Sequence, residues 1–232
     1  MKRPLLVLLA ILLTSLPAFA EEAAPQLSVH GQAQLEVPAD QAHLSLAVVT
    51  TARTSEAALR QNSATLKAVA AALAKAGLKK GESESGRFEV RPQWTPRPAN
   101  PAAGWRPAIT GYTVQNSLRI TTGNLQQLGA YIEAAIQAGA NSVEGLSFDL
   151  ADASRYRDRA IAQATRDARR DAEVLAEAAG VKLEQVVSAQ LDSGGYVQPR
   201  MMAFAKASAV PLTPGTVSVS AGVTLVYRIG AR

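Results

Sequence analysis

The chain contains no cysteine, and that absence removes much chemistry at once. Without a thiol there is no disulfide, no Cys-ligated zinc, no Cys nucleophile and no thiol redox couple. Histidine occurs only twice, as His30 and His43, and aromatic residues make up 5% of the 232. No G-x-S-x-G elbow for a serine nucleophile occurs, and no G-x-G-x-x-G dinucleotide fingerprint. Residues 77–83, Gly-Leu-Lys-Lys-Gly-Glu-Ser, superficially resemble a phosphate loop. They lack G-x-x-x-x-G-K-[ST] and their glycine follows a helical segment instead of opening one, so they read as a C-cap and turn. Asp149, Asp152 and Asp158 lack the spacing of a calcium loop. No catalytic, cofactor-binding or metal-ligating residue is therefore assigned, and no cofactor is expected.

Long hydrophobic runs are also missing, with one exception at the N-terminus. Lys2 and Arg3 precede an apolar run over residues 5–16, and Ala18-Phe19-Ala20 follows it. A basic start, an apolar stretch of about 7–15 residues and an A-x-A site form a secretory signal peptide, expected to be cleaved after Ala20. The run is too short for a membrane span of about 20 residues, and no later segment supplies one. No cysteine follows the leader, which excludes a lipoprotein anchor. The alanine-rich composition and the leader suit the periplasm of a Gram-negative bacterium. An exported domain without disulfides must be held by its core or by oligomerisation. The net charge is +5, but Lys and Arg are dispersed among acids, unlike the one-sided clusters of nucleic-acid binders. No nucleic-acid partner is expected.

Periodicity supplies the fold class. Residues 27–37 alternate strictly, with Leu27, Val29, Gly31, Ala33, Leu35 and Val37 on one side and Ser28, His30, Gln32, Gln34 and Glu36 on the other, which predicts a half-buried strand. Pro38-Ala39-Asp40 is a turn signal, so residues 42–51 are expected to return as the second strand of a hairpin. His30 and His43 would then lie on neighbouring strands, as half-exposed residues more than as a metal or proton-shuttle pair. Thr54 or Ser55 caps a helix with Leu59, Asn62, Leu66, Val69 and Leu73 on one face. Residues 84–91, 112–121, 146–150, 183–191 and 217–229 read as further strands. Asn124 is expected to cap a second helix, and a third runs over residues 154–179. The third helix carries a stripe of Ile161, Ala164, Ala168, Ala172, Leu175 and Ala179, mostly small residues, so something packs close against it. Glycines 77, 139 and 180 close the three helices. The prediction is an α+β two-layer sandwich: a mostly antiparallel sheet of about seven strands with three helices, the third long. Two subdomains, residues 27–91 and 109–232, are a candidate division across the proline-rich loop 92–108.

That loop holds both tryptophans. Trp94, Arg97, Trp105 and Arg106, with Arg91 beside them, form the first candidate contact surface, because Trp and Arg dominate binding hot spots. Met201, Met202 and Phe204 form a second, since Met-rich apolar loops adapt to partners. Asn62 and Asn116 each occupy an apolar stripe. A buried amide must find partners, so the two are expected to satisfy each other or nearby backbone, a structural role.

Several segments together resemble the SIMPL-domain family. They are Val29-His30-Gly31-Gln32-Ala33, Val37-Pro38-Ala39-Asp40-Gln41-Ala42, Gly111-Tyr112-Thr113-Val114-Gln115-Asn116, Ala138-Gly139-Ala140-Asn141, Phe148-Asp149-Leu150 and the long helix ending at Ala179-Gly180-Val181. The match covers nearly all of the chain after the leader and departs from the pattern at 92–108 and 192–215. The resemblance implies a periplasmic protein akin to the bacterial immunogenic periplasmic antigens, associated with oxidative-stress defence and with large ring-like or channel-like homo-oligomers. It brings no catalytic residues. Three methionines are a poor sink for oxidants, so a stress role would come from assembly through loop 92–108, loop 192–215 or the long final strand. The competing reading is an envelope binding module whose Trp/Arg loop grips glycan, lipid headgroup or a protein partner.

Overall fold

Alternation becomes strand and helical spacing becomes helix throughout the computed structural model, which describes residues 24–192, 197–198, 200–202 and 214–232. The expected leader, Phe204 and much of the 192–215 stretch lie outside the described residues. Seven long strands appear: β1 (Gln26–Pro38), β2 (Gln41–Ala52), β3 (Ser83–Trp94), β4 (Ile109–Thr122), β5 (Ser142–Asp149), β6 (Val181–Leu191) and β9 (Thr216–Ala231). Two short ones, β7 (Val197–Gln198) and β8 (Arg200–Met202), lie between the last two. The helices are α1 (Ser55–Lys75), α2 (Leu128–Gln137) and α3 (Ala153–Ala178). The architecture is the α+β sandwich expected from periodicity, with the strands divided between two antiparallel sheets.

The division is where pairing departs from expectation. The β1–β2 hairpin does not form. β1 pairs along its whole length with β9, and β2 pairs with β4 and β5. Between them the amide of Ala39 bonds to Gly215 O and that of Asp40 to Asp149 O, so Pro38-Ala39-Asp40 carries the chain from one sheet to the other. The smaller sheet runs β1-β9-β6, with β7 also on β9; the larger runs β3-β4-β2-β5-β8. The final strand is thus the central strand of its sheet, and its edges are not free for assembly as expected. The expected loop 92–108 narrows to residues 95–108, because Pro92, Gln93 and Trp94 continue β3 as an edge strand paired with β4, so the loop is the tip of a hairpin within one sheet. Both candidate subdomains contribute strands to both sheets, and one apolar cluster runs through the helix-facing sides of the two.

The helix caps follow the sequence in part. Thr54 Oγ1 accepts from the amide of Ala57 at 3.2 Å, and Gly77, Gly139 and Gly180 all adopt positive φ at the three helix ends. Asn124 does not cap α2: a short 3-10 turn (Leu125–Gln127) intervenes, and the Asn124 side chain makes no capping bond. The local reason is Thr122, whose hydroxyl takes the Asn124 amide.

Helix α3 packs closely on the smaller sheet. Ala160, Ala164, Ala168, Ala172 and Ala176 form a buried stripe at four-residue spacing. The stripe differs from the expected one at its ends, since Leu175 is exposed. Opposite it, a Cβ placed on Gly31 would overlap the backbone of Ala164 and Ala168 and lie 2.8 Å from the Ala168 methyl. Backbone meets backbone here, because neither element carries more than a methyl. Gly31→Ala is therefore expected to cost about 2–3 kcal/mol through overpacking. Urea unfolding measures it, and a midpoint equal to that of the unaltered chain would show that α3 can stand off.

Candidate functional site

The four residues of the first candidate surface come together on the β3–β4 hairpin. β3 alternates Phe88, Val90, Pro92 and Trp94 along one face, and Trp94 pairs across the hairpin with Ile109. Helix α1 lies over β2 and β4 and leaves this outer strand uncovered. Phe88 is 55% exposed, Val90 41%, Trp94 53% and Ile109 44%. The mouth of the loop is closed by main chain and one hydroxyl: the amide of Thr95 bonds to Ala108 O at 2.8 Å, and Thr95 Oγ1 accepts from the amide of Ala108 at 3.0 Å. A turn follows, in which the amide of Trp105 bonds to Ala102 O and Gly104 takes φ of +82°. Trp105 is half-buried, and Arg97 and Arg106 are exposed.

Charge along the hairpin is graded. At its base Arg119 reaches Glu84 at 3.1 Å, and Arg91 reaches Glu89 at 2.6 Å. The hydrogen bond from Arg91 holds the Glu89 carboxyl below its ordinary range. Towards the tip, Arg97 and Arg106 pair with no described carboxylate.

The second candidate surface is remote from the first. Met201 and Met202 belong to β8, where they pair with Ser147 and Leu146 of β5. β8 and β3 are opposite edges of the larger sheet, so the two expected surfaces are not one site.

Asn62 is fully buried on α1. Its amide nitrogen donates to Val48 O at 2.8 Å and Val114 O at 3.2 Å. It thus ties the helix to two neighbouring strands through their backbone. Asn116, half-buried in β4 opposite Val48 and Phe88, is not its partner. Asn62 Oδ1 and the hydroxyl of Tyr131 on α2 are buried without a protein partner.

Sequence reasoning missed one polar cluster. On the solvent side of the smaller sheet, His30 Nδ1 lies 3.2 Å from Asp192 Oδ2 and 3.3 Å from Thr224 Oγ1. The Gln32 amide nitrogen lies 2.9 Å from His30 Nε2. An amide nitrogen only donates, so in this arrangement Nε2 accepts and the ring proton sits on Nδ1. A shallow hollow of about 360 Å³ opens beside the pair, lined also by Gln34, Ser220 and Gly222. A Cβ on Gly222 would lie 2.6 Å from Asp192 Oδ2, so glycine lets the carboxylate lie flat on β9. Ser220 pairs with Gln34 while His30 pairs with Thr224, four residues or roughly 13 Å along the strand. It is out of reach of this imidazole as a nucleophile. Asp192 follows the end of β6, and no spacing in the sequence joins it to His30. The expected neighbour, His43, is in the other sheet, 3.0 Å from Thr121 Oγ1.

An α+β chain with an alanine-faced long helix packed on one of two antiparallel sheets is the class defined here. The SIMPL family, described as a protein of unknown function (DUF541), matches residues 27–227, and the chain belongs to it. It is similar to the 26 kDa periplasmic immunogenic protein of Brucella abortus (strain S19), 29% identical over 228 residues, spanning 93% of this chain and 91% of that protein. It is also similar to the uncharacterized protein YggE of Escherichia coli (strain K12), 23% identical over 189 residues, with 82% and 74% covered.

Replacing Asn62 by Leu leaves Val48 O and Val114 O without their side-chain donor. A loss of about 1–3 kcal/mol is expected, read as a lower melting temperature; a gain would refute the tie.

Proposed function

We propose that the chain is a non-enzymatic periplasmic protein whose working form is an assembly of its own copies, and that it supports envelope or oxidative-stress tolerance in that form. The location rests on the leader-like N-terminus together with the name of the Brucella relative. The absence of cysteine leaves assembly, not thiol chemistry, as the route to tolerance.

One observation carries the assembly reading. β1 is a 13-residue edge strand in unbroken register with β9. In an antiparallel ladder, alternate residues direct their N–H and C=O away from the partner. Gln32 is in that phase, because its amide donates outward to Asp167 Oδ2 at 3.2 Å, and Gly222 opposite it accepts from Asp192 on the far side. His30 and Gln34 share the phase. A long edge without bulges is a template for strand pairing with another chain. The opposite edge, β6, is interrupted by two register shifts, a common protection against such pairing.

The phase of Gln34 gives a selective test. Proline at an edge position whose N–H faces solvent leaves the sheet intact but blocks strand addition. Light scattering with size-exclusion chromatography on the chain from Glu21 onward is expected to give a discrete multi-subunit mass. Gln34→Pro is expected to give folded monomers with an unchanged circular dichroism spectrum. A monomer before substitution, or an unaltered oligomer after it, would remove the reading.

A further inference from the structure

Charges over the chain as a whole are mixed, but the hairpin is an exception. Between Glu89 and Glu133 the sequence contains no acidic residue, and its charged side chains there are Arg91, Arg97, Arg106 and Arg119. The same segment carries both tryptophans of the chain and the exposed Trp94 and Ile109 at the end of an uncovered sheet face. The two arginines nearest the tip are those without a described carboxylate partner.

We infer that the β3–β4 hairpin is a docking surface for a bilayer rich in anionic phospholipid. Three features favour a lipid surface over a protein or a soluble polyanion. Tryptophan settles at the headgroup level, where its ring is apolar and its N–H stays wet. Each arginine close to an anionic leaflet adds attraction that salt screens. Trp94 and Ile109 are exposed and paired where the strands end, so they can enter the headgroup region together, while the main-chain and hydroxyl bonds of Thr95 and Ala108 keep the loop mouth closed. A polyanion alone would leave Phe88, Val90, Trp94 and Ile109 unused. This inference is independent of the assembly reading, which rests on β1 at the edge of the other sheet.

Because both tryptophans lie in the hairpin, tryptophan emission, excited selectively over the five tyrosines, reports this site alone. The chain from Glu21 onward is mixed with vesicles of phosphatidylcholine, or of phosphatidylcholine and phosphatidylglycerol in equal parts. Co-sedimentation is expected with the anionic vesicles and not with the neutral ones, with a blue-shifted emission and quenching by brominated acyl chains. The Arg97→Glu/Arg106→Glu variant is expected to weaken binding roughly tenfold or more. Trp94→Ala is expected to weaken it without altering the melting temperature. Each of four results overturns the inference: no co-sedimentation with anionic vesicles; equal binding to neutral vesicles; binding without a blue shift that dextran sulfate reproduces, which marks a polyanion site; or loss of the oligomer in Trp94→Ala without lipid, which marks a subunit contact. The mass of Gln34→Pro is read separately, so failure of assembly and failure of membrane docking are distinguishable.

Discussion

The near-contact of α3 with β1 is the constraint on which the smaller sheet depends. A sheet of three long strands and one short one buries little unless a helix lies flat on it. Here the helix comes close enough for backbone to meet backbone, because Gly31 has no side chain and Ala164 and Ala168 have only methyls. Alanine also has the highest helix propensity, so the stripe that permits close approach also favours the 26-residue helix. The same approach places Asp167 beside the edge of β1, where its carboxylate takes the outward Gln32 amide. The helix thus fixes the strand and covers one of its open groups, while the phase-matched positions beside it stay open.

The larger sheet solves the equivalent problem by a different device. Asn62 is a polar residue in an apolar stripe, and its amide reaches the backbone of β2 and β4 together. Packing by methyls is tolerant of sliding along the helix axis, whereas two directed hydrogen bonds are not. The tie therefore fixes the register of α1 over the strands that carry the hairpin. β3 hangs beyond this support, and that is why its apolar face is open. Burial of Val114 at 0% and exposure of its cross-strand neighbour Val90 at 41% mark the boundary within a single pair.

Which residues are strand and which are helix could be read from the sequence because period two and period 3.6 are local properties. Partner choice is not local. Residues 27–37 and 42–51 alternate well and are separated by a turn signal, the pattern that predicts a hairpin, yet the amides of Ala39 and Asp40 find Gly215 and Asp149 on different strands. The crossing between sheets is written in contacts 176 and 109 positions apart. The candidate surfaces divide in the same way. Trp94, Arg97, Trp105 and Arg106 were legible as a group because they are close in sequence and on one loop. That this loop is a hairpin tip, and that β8 is the far edge of the same sheet, depends on strand order. The pairing of His30 with Asp192 was not legible at all, since 162 positions separate two ordinary polar residues and only the geometry at Gly222 joins them.

The distribution of polar and apolar groups over the edges separates the two proposed roles. β1 presents main chain with polar side chains outward, suited to a partner that supplies hydrogen bonds in strand register. The hairpin presents Trp, Phe, Val and Ile beside unpaired arginines, suited to a partner with a diffuse apolar interior and a negative boundary. A strand's main chain offers the arginines no anion, and a bilayer would leave the amides of β1 unsatisfied, because lipid offers no ordered donors and acceptors. Each edge therefore fits one kind of neighbour and poorly fits the other. Since the edges belong to different sheets, strand pairing along β1 does not use the hairpin's main chain, and an assembly of that kind would carry one hairpin per copy. Linking several weak contacts in this way multiplies their avidity without any new interaction. A hairpin with two arginines free of described carboxylates at its tip is a weak anchor alone, and would become a firm one if displayed by an oligomer.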